Sequence, residues 1–345
     1  MKDQSSQIIF APNQFWRIVI VASILICGFV TRLFDLTDPP LDYAGARQLR
    51  SMMITRGMYY EQLDDAPLWK QDIARKQAGI HGMIEPEVIE TITAATYHVV
   101  GGEYFWIARI YSSLFWVLAG LALYGLVRGM VSGDGAVIAL IYYLFAPFGL
   151  LASRTFQPDP LMSVLILTSW YTYYRWYEKP SWRRAITAGL VTGAAMFVKS
   201  TSVFFLIFGM GFALLYRTKI INILKNFQVW VIALLSGIPA LSYFVYGVFI
   251  LGDLESQLKG RFFPQMWNDP DFYLQWKNAV ASVTGHWLIL ILGLAGFLFL
   301  KNNRDRLFLG GIWLGYILYG FGFSYHISTH YYYTLPVIPL LAVTI

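Results

Sequence analysis

Residues 15–42 read FWRIVIVASILICGFVTRLFDLTDPPLD. The first part of this stretch is apolar over about 20 residues, the length an α-helix needs to cross the hydrocarbon core of a bilayer. It then stops at Asp35, Asp38, Pro39, Pro40 and Asp42, so carboxylates stand where lipid gives way to water. They open a segment, residues 35–103, that is loop-like in pattern and carries eleven acidic residues. Every later connection is shorter, and most are far less acidic.

The rest of the chain repeats the apolar theme. Of its 345 residues, 57% are hydrophobic, 17% aromatic and only 13% charged, where soluble domains average about 25% charged. Mean hydropathy is +0.52. Apolar runs fall at residues 15–34, 104–127, 136–152, 161–177, 185–198, 202–216, 229–251, 287–300 and 307–324, with a last run from 336. This pattern predicts an all-α polytopic membrane protein with about ten crossings, forming one domain over residues 1–345. Residues 1–13 lack the basic start and small-residue cleavage site of a secretory signal, so the first run reads as a retained anchor. The final run, 336–345, is too short to cross as a helix, so the chain reads as cut short at its C-terminus. A single cysteine, Cys27, excludes an intrachain disulfide. The net charge of +6 does not indicate nucleic acid, because in such a chain lysine and arginine chiefly set orientation.

The basic clusters at 179–184, 217–225 and 301–306 place those connections in the cytoplasm and residues 35–103 outside, with the expected location the plasma (inner) membrane. Assigning every charge on this basis gives thirteen basic and four acidic residues inside, against thirteen and sixteen outside, a contrast of +9 and −3. The first two basic clusters share a side, so an even number of crossings separates them. Lys199 then falls at an outside turn, unless 185–216 is a single tilted helix or a re-entrant pair.

The outside segments hold the candidate chemistry. After Asp42, residues 43–53 have a mixed apolar and basic helical pattern suited to lying on a membrane surface. Asp42 is a good N-cap for that helix, and a carboxylate held there can equally take a proton from an acceptor hydroxyl. A second surface helix is expected after Glu85-Pro86-Glu87, with Val88, Ile89, Ile92, Ala95 and Val99 on one face. Its acids suit a helix N-terminus, and Glu85 is the one retained as a site candidate. The turn 153–160 carries Arg154 and Asp159, read either as helix ends reaching the interface or as a clamp for an anionic substrate. Lys199, His330 and Tyr331 share this face. His326 and His330 have the i, i+4 spacing of a two-histidine metal set but lack the HExxH glutamate. A divalent metal stays possible and no other cofactor is indicated. There is no Walker loop, Rossmann glycine pattern or GxSxG elbow. An alternative class is a transporter or flippase for a lipid-linked or anionic substrate, which would place charges at mid-membrane depth; here almost every charge falls at a span end.

The order of these motifs resembles the GT-C type of polyprenyl-phosphate-sugar-dependent glycosyltransferases, the group of protein O-mannosyltransferases and lipid A aminoarabinose transferases. The resemblance runs through Arg32, Asp38-Pro39-Pro40-Leu41-Asp42, Arg47-Gln48, Ile84-Glu85-Pro86, the stretches 104–109 and 111–115, and Ser153-Arg154. It continues through Gln157-Pro158-Asp159, residues 193–199 and His330-Tyr331-Tyr332. Many members have a second acid after the first-loop aspartate, or a histidine and tryptophan before Arg-Gln; this chain has Tyr43, then Ala44-Gly45-Ala46. The resemblance implies a GT-C-like bundle and transfer of a sugar from a polyprenyl-phosphate donor, with inversion, on the outer face. The acceptor would be a glycan, lipid or protein. It further implies Asp42 as catalytic base, and Arg47, Glu85, Arg154, Asp159, Lys199, His330 and Tyr331 as substrate-binding residues.

Overall fold

The computed structural model describes residues 13–41, 43–82, 84–252, 254–255 and 262–345. Asp42 lies outside the described residues. Among those described there is no strand, and the helices follow one another in a bundle: α1 Gln14–Val30, α2 Gly45–Glu61, α3 Leu68–Gly79, α4 Val88–Val100, α5 Trp106–Met130, α6 Gly133–Phe145, α7 Pro147–Ala152, α8 Pro158–Glu178 and α9 Trp182–Val198. They continue with α10 Val203–Arg217, α11 Ile220–Leu224, α12 Phe227–Val245, α13 Pro270–Thr284, α14 Trp287–Phe299, α15 Asn303–Gly322, α16 Ser324–Thr329 and α17 Val337–Thr344.

Four helical stretches are long and apolar enough to cross a membrane: Gln14–Leu33, Trp106–Met130, Ser200–Arg217 and Phe227–Ile250. A fifth results if Pro270–Thr284 and Trp287–Phe299, bent by 85° at their break, form one span. Among the described residues fewer pass than the ten expected: three of the runs form helices of only 13, 17 and 13 residues, Gly133–Phe145, Trp182–Val198 and Trp287–Phe299, and others differ in composition. Gln14–Leu33 is 6% buried and Phe227–Ile250 17%, so these peripheral helices meet their surroundings with apolar side chains. Helix α8 is wrapped by neighbours, and Trp170, Tyr173 and Trp176 are buried on it. Lipid does not select its composition. It tolerates Thr168, Ser169 and Thr172, whose hydroxyls donate to carbonyls one turn back at 2.8, 2.7 and 2.9 Å. The run 136–152 breaks at Ala146, which is extended before Pro147.

The segment 35–103 is far more helical than its sequence pattern suggests. Helices α2 and α4 are the two expected surface helices, but α3 lies between them. Its sequence LWKQDIARKQAG has no apolar stripe, and only Ala74 is buried. It docks through close backbone approach: a Cβ on Gly57 of α2 would lie 2.5 Å from the Ala78 methyl. The N-cap of α2 is Ala44, in the left-handed region at φ 47°, rather than Asp42. On α4, Ile89, Thr93 and Tyr97 are buried while Val99 is 87% exposed, so part of the expected apolar stripe faces out, as an interfacial helix requires.

Helices α8, α9 and α10 traverse the bundle alternately. Along α10, the carbonyls of Phe205 and Met210 accept from Trp170 Nε1 (2.9 Å) and Tyr173 OH (2.7 Å), and Arg217 Nη1 donates to the Tyr177 carbonyl (2.6 Å). Helix α10 therefore runs parallel to α8, and α9 returns between them. Lys199 lies at one end of the bundle; Lys179, Arg217 and Arg304 lie at the other, about 30 Å away by the rise of α8. A single tilted helix over 185–216 is excluded.

Helices α10 and α15 cross at small residues. A Cβ on Gly311 would stand 2.5 Å from the Phe208 carbonyl oxygen and 2.8 Å from the Gly209 Cα. Gly311→Val is expected to destabilise the protein by about 1–3 kcal/mol, read as a lowered melting temperature in detergent. A variant melting with the parent would show that this contact does not hold the pair together.

Candidate active site

Two local devices carry the site. Helix α8 begins with Pro158, whose ring suits the first helical position, and this places Asp159 in the first turn. Helix α9 ends at Val198, and a single 3₁₀ turn, Ser200–Ser202, redirects the chain into α10. Lys199 is thus the hinge residue between two antiparallel helices, beside the N-terminus of α8. Its Nζ lies 2.6 Å from Asp159 Oδ1, and the two side chains are 3% and 0% exposed.

The first-loop segment closes over this pair. Glu85 brings Oε1 to 3.5 Å from Lys199 Nζ, and its Oε2 accepts from Arg47 Nη2 at 2.8 Å. Two cations and two carboxylates therefore alternate from α2 through residue 85 to α8 and the α9–α10 hinge. Burial alone would depress the Lys199 ammonium, but Asp159 and then Glu85 outweigh it and hold the group above its usual 10.5. The Tyr43 phenol is pushed up, by burial first and then by Asp159. Gln48 fastens the lid: its Nε2 donates to the Tyr43 carbonyl at 2.6 Å, and its Oε1 accepts from the Phe156 amide at 3.1 Å. Ser51 Oγ donates to buried Glu90 at 2.6 Å, tying α2 to α4.

The remaining candidates separate. Arg154 donates to the Asp35 carbonyl at 2.7 Å and has no carboxylate partner among the described residues. With Arg109, which donates to the Leu36 carbonyl at 2.8 Å, it pins the backbone leading to Asp42. Buried Arg32 instead ties the end of α1 to α6 and to the turn before α8, through Ser153 Oγ (2.7 Å) and the carbonyls of Gly28 (2.6 Å) and Leu144 (2.9 Å). Tyr331 is 43% exposed, whereas the next two rings meet the lysine, with Nζ 5.6 Å from the Tyr332 centroid and 4.9 Å from that of Tyr333. The tyrosine run signalled this contact, but the 3₁₀ turn Tyr331–Thr334 selects which rings point inward. His330 stands beside them, its Nδ1 2.7 Å from Thr329 Oγ1. Burial, then the charges of Arg47 and Lys199, keep its pKa below the usual 6.5. The His326 and His330 ring centroids are 5.9 Å apart. Among the described residues, no group of three or more His, Cys, Asp or Glu side chains could hold a metal ion.

An apolar cavity of about 210 Å³ adjoins the cluster. Glu85 stands in its wall with Met196, Phe197, Phe244, Phe262 and Phe323. Among the described residues, Asp159 Oδ2, Arg47 Nε and the Tyr43 hydroxyl are buried without a hydrogen-bond partner, so polar atoms remain available in the cluster.

Residues 85–243 match the family described as dolichyl-phosphate-mannose-protein mannosyltransferase. Over this stretch the chain is similar to the GT-C type of glycosyltransferase. The matched stretch begins at Glu85 and includes Asp159 and Lys199; Arg47 and the tyrosine run lie outside it. A solved structure, the oligosaccharyltransferase of Archaeoglobus fulgidus in the apo form, aligns over 96% of this chain and 50% of its own, with a TM-score of 0.49 and 14% identity. The present chain thus spans about half the length of that protein. No curated protein matches the chain.

Breaking a buried ion pair leaves an uncompensated charge. Asp159→Asn is expected to cost about 3–5 kcal/mol, with Lys199→Met in the same chain recovering much of it; thermal unfolding of the two variants checks this, and equal losses would disprove the coupling. The pH response follows from two shifts. Lys199 is raised, so its contribution is fully present below pH 10.5 and is lost as pH rises through the higher folded value. His330 is lowered, so the unfolded chain binds its proton first and stability falls as pH drops through 6.5. His330→Asn is expected to flatten the melting-temperature profile below pH 6.5 and leave the alkaline limb unchanged.

Proposed function

We propose that this protein transfers a sugar from a polyprenyl-phosphate donor to an acceptor on the outer face of the membrane, with inversion at the anomeric carbon. The observation that carries this reading is the Arg47–Glu85–Lys199–Asp159 cluster, with Lys199 and Asp159 buried and Arg47 and Glu85 part-buried, beside an apolar cavity at the bundle end opposite the three basic clusters. Lysine and arginine concentrate on the cytoplasmic side, so the cluster belongs to the outer leaflet, where a lipid-borne donor reaches it laterally. The polyprenyl chain needs an apolar channel and the phosphate needs cations, and both occur at Glu85.

In the proposed reaction, an acceptor hydroxyl oxygen attacks the anomeric carbon as its proton passes to Asp42. The bond between that carbon and the phosphate oxygen breaks, and the electron pair leaves with the phosphate. Lys199 and Arg47 stabilise the charge gained by the departing polyprenyl phosphate, while Asp159 and Glu85 hold both cations in place. Leaving-group protonation is unnecessary because a phosphate leaves readily as an anion. The acceptor is a glycan, lipid or protein hydroxyl; a phosphate acceptor would need no base.

Incubation of purified protein with a polyprenyl-phosphate-linked sugar and an acceptor is expected to release polyprenyl phosphate. Asp42→Asn should slow that release by about 10²–10⁴-fold without lowering the melting temperature, and a parental rate would overturn the assignment of the base. Absence of turnover with every such donor, together with substrate flux into protein-containing vesicles, would establish a transporter instead.

A further inference from the structure

The bundle end remote from Lys199 carries a second constructed feature. A crevice of about 570 Å³ opens between α8, α10 and the start of α15. Its wall holds three cations, Arg217, Lys301 and Arg304, one carboxylate, Glu178, and the phenols Tyr177 and Tyr216.

These cations are unequally compensated. Arg304 is ion-paired with Glu178 and with buried Asp305, whose Oδ1 lies 2.6 Å from its Nε. Arg217 has neutral partners only: the Tyr177 carbonyl at 2.6 Å and the Tyr177 ring, with its centroid at 5.0 Å. Lys301 is exposed and makes no hydrogen bond or ion pair among the described residues. Among the described residues, two positive charges therefore border the crevice without an ion-pair partner, and the one carboxylate in its wall, Glu178, is paired with Arg304.

The crevice continues into an apolar groove of about 570 Å³. The two share Tyr216 and Asn303, and the groove is otherwise lined by Phe212, Phe297, Leu307, Gly310 and Arg306, whose guanidinium is occupied by the carbonyls of Leu298 and Leu300. Gly310 borders it, and a Cβ there would meet only the edge of the Phe297 ring, at 3.4 Å, so a larger side chain at this position would enter the groove. A cationic mouth joined to an apolar groove, on the outer surface of a membrane bundle, matches the two halves of a phospholipid. Basic residues at such a depth favour anionic headgroups by about 1 kcal/mol each.

We propose that crevice and groove together bind one anionic phospholipid. Its phosphate sits between Arg217 and Lys301, and an acyl chain lies along Phe212, Phe297 and Leu307. The site is independent of the chemistry at the opposite end.

The test is native mass spectrometry of the full chain in detergent, titrated with phosphatidylglycerol or with phosphatidylcholine of the same acyl chains. The wild-type protein is expected to retain phosphatidylglycerol at lower concentration. Arg217→Gln with Lys301→Gln should weaken that binding about 20-fold and weaken phosphatidylcholine, whose choline offsets the phosphate charge, by less. Gly310→Phe, which fills the groove and keeps both charges, should weaken both lipids. Melting of lipid-free variants reports folding; if the double variant does not fold, Lys301→Gln alone should weaken phosphatidylglycerol about fivefold. Equal retention of the two lipids, undiminished phosphatidylglycerol binding by the charge variants, or equal competition by glycerol 3-phosphate would overturn the proposal. The last outcome would reveal a phosphate site that uses no acyl groove.

Discussion

The salt bridge between Lys199 and Asp159 is the constraint around which the rest of the structure is arranged. An ammonium and a carboxylate removed from water each carry a desolvation cost of several kcal/mol, recovered only if the partners meet with good geometry and remaining polar atoms find company. That requirement fixes the N-terminus of α8 against the α9–α10 hinge, and so the alternating course of three helices. It also draws in the first-loop segment, because Glu85 reaches the same ammonium and Arg47 balances Glu85. The lid closes over the cluster for an electrostatic reason, and Gln48 then locks it with two hydrogen bonds to backbone.

From this follows the polarity of the molecule along α8. At the Asp159 end, charges are buried, mutually compensated and set beside an apolar cavity. At the Glu178 end they are exposed, cationic in excess and open to the surroundings. The first arrangement suits a site that must recognise a phosphate without being permanently filled by bulk anions, and the second suits contact with a charged membrane surface. Two arginines, Arg109 and Arg154, hold the backbone at Asp35 and Leu36 through its carbonyls.

Membrane character, the helical class and the special standing of residues 35–103 were legible because hydropathy and span-end charge depend on composition alone. The second surface helix was legible from its period at residues 88–99. Helix α3 was not, since its sequence has no apolar stripe and docking rests on the approach of Gly57 to Ala78. Helix α8 was read only as an apolar run; that its hydroxyls bond within the helix and its rings face neighbours was not legible. Arg154 and Lys199 looked equivalent as outside cations, yet one bonds a carbonyl and the other a carboxylate. Tyr331 stood for a run whose next two members do the packing, because a 3₁₀ turn rotates successive side chains by about 120°.

By itself, the sequence determined that the chain is built of apolar helices, that its basic connections belong together, and that polar chemistry gathers at the other ends. These are consequences of what each residue prefers as solvent. Only the tertiary structure decided which charges pair, which ring covers the lysine and where an apolar cavity meets the cluster. Such choices depend on distances of a few ångströms between residues 38 or more positions apart in the chain, which helix packing sets and local preference does not contain.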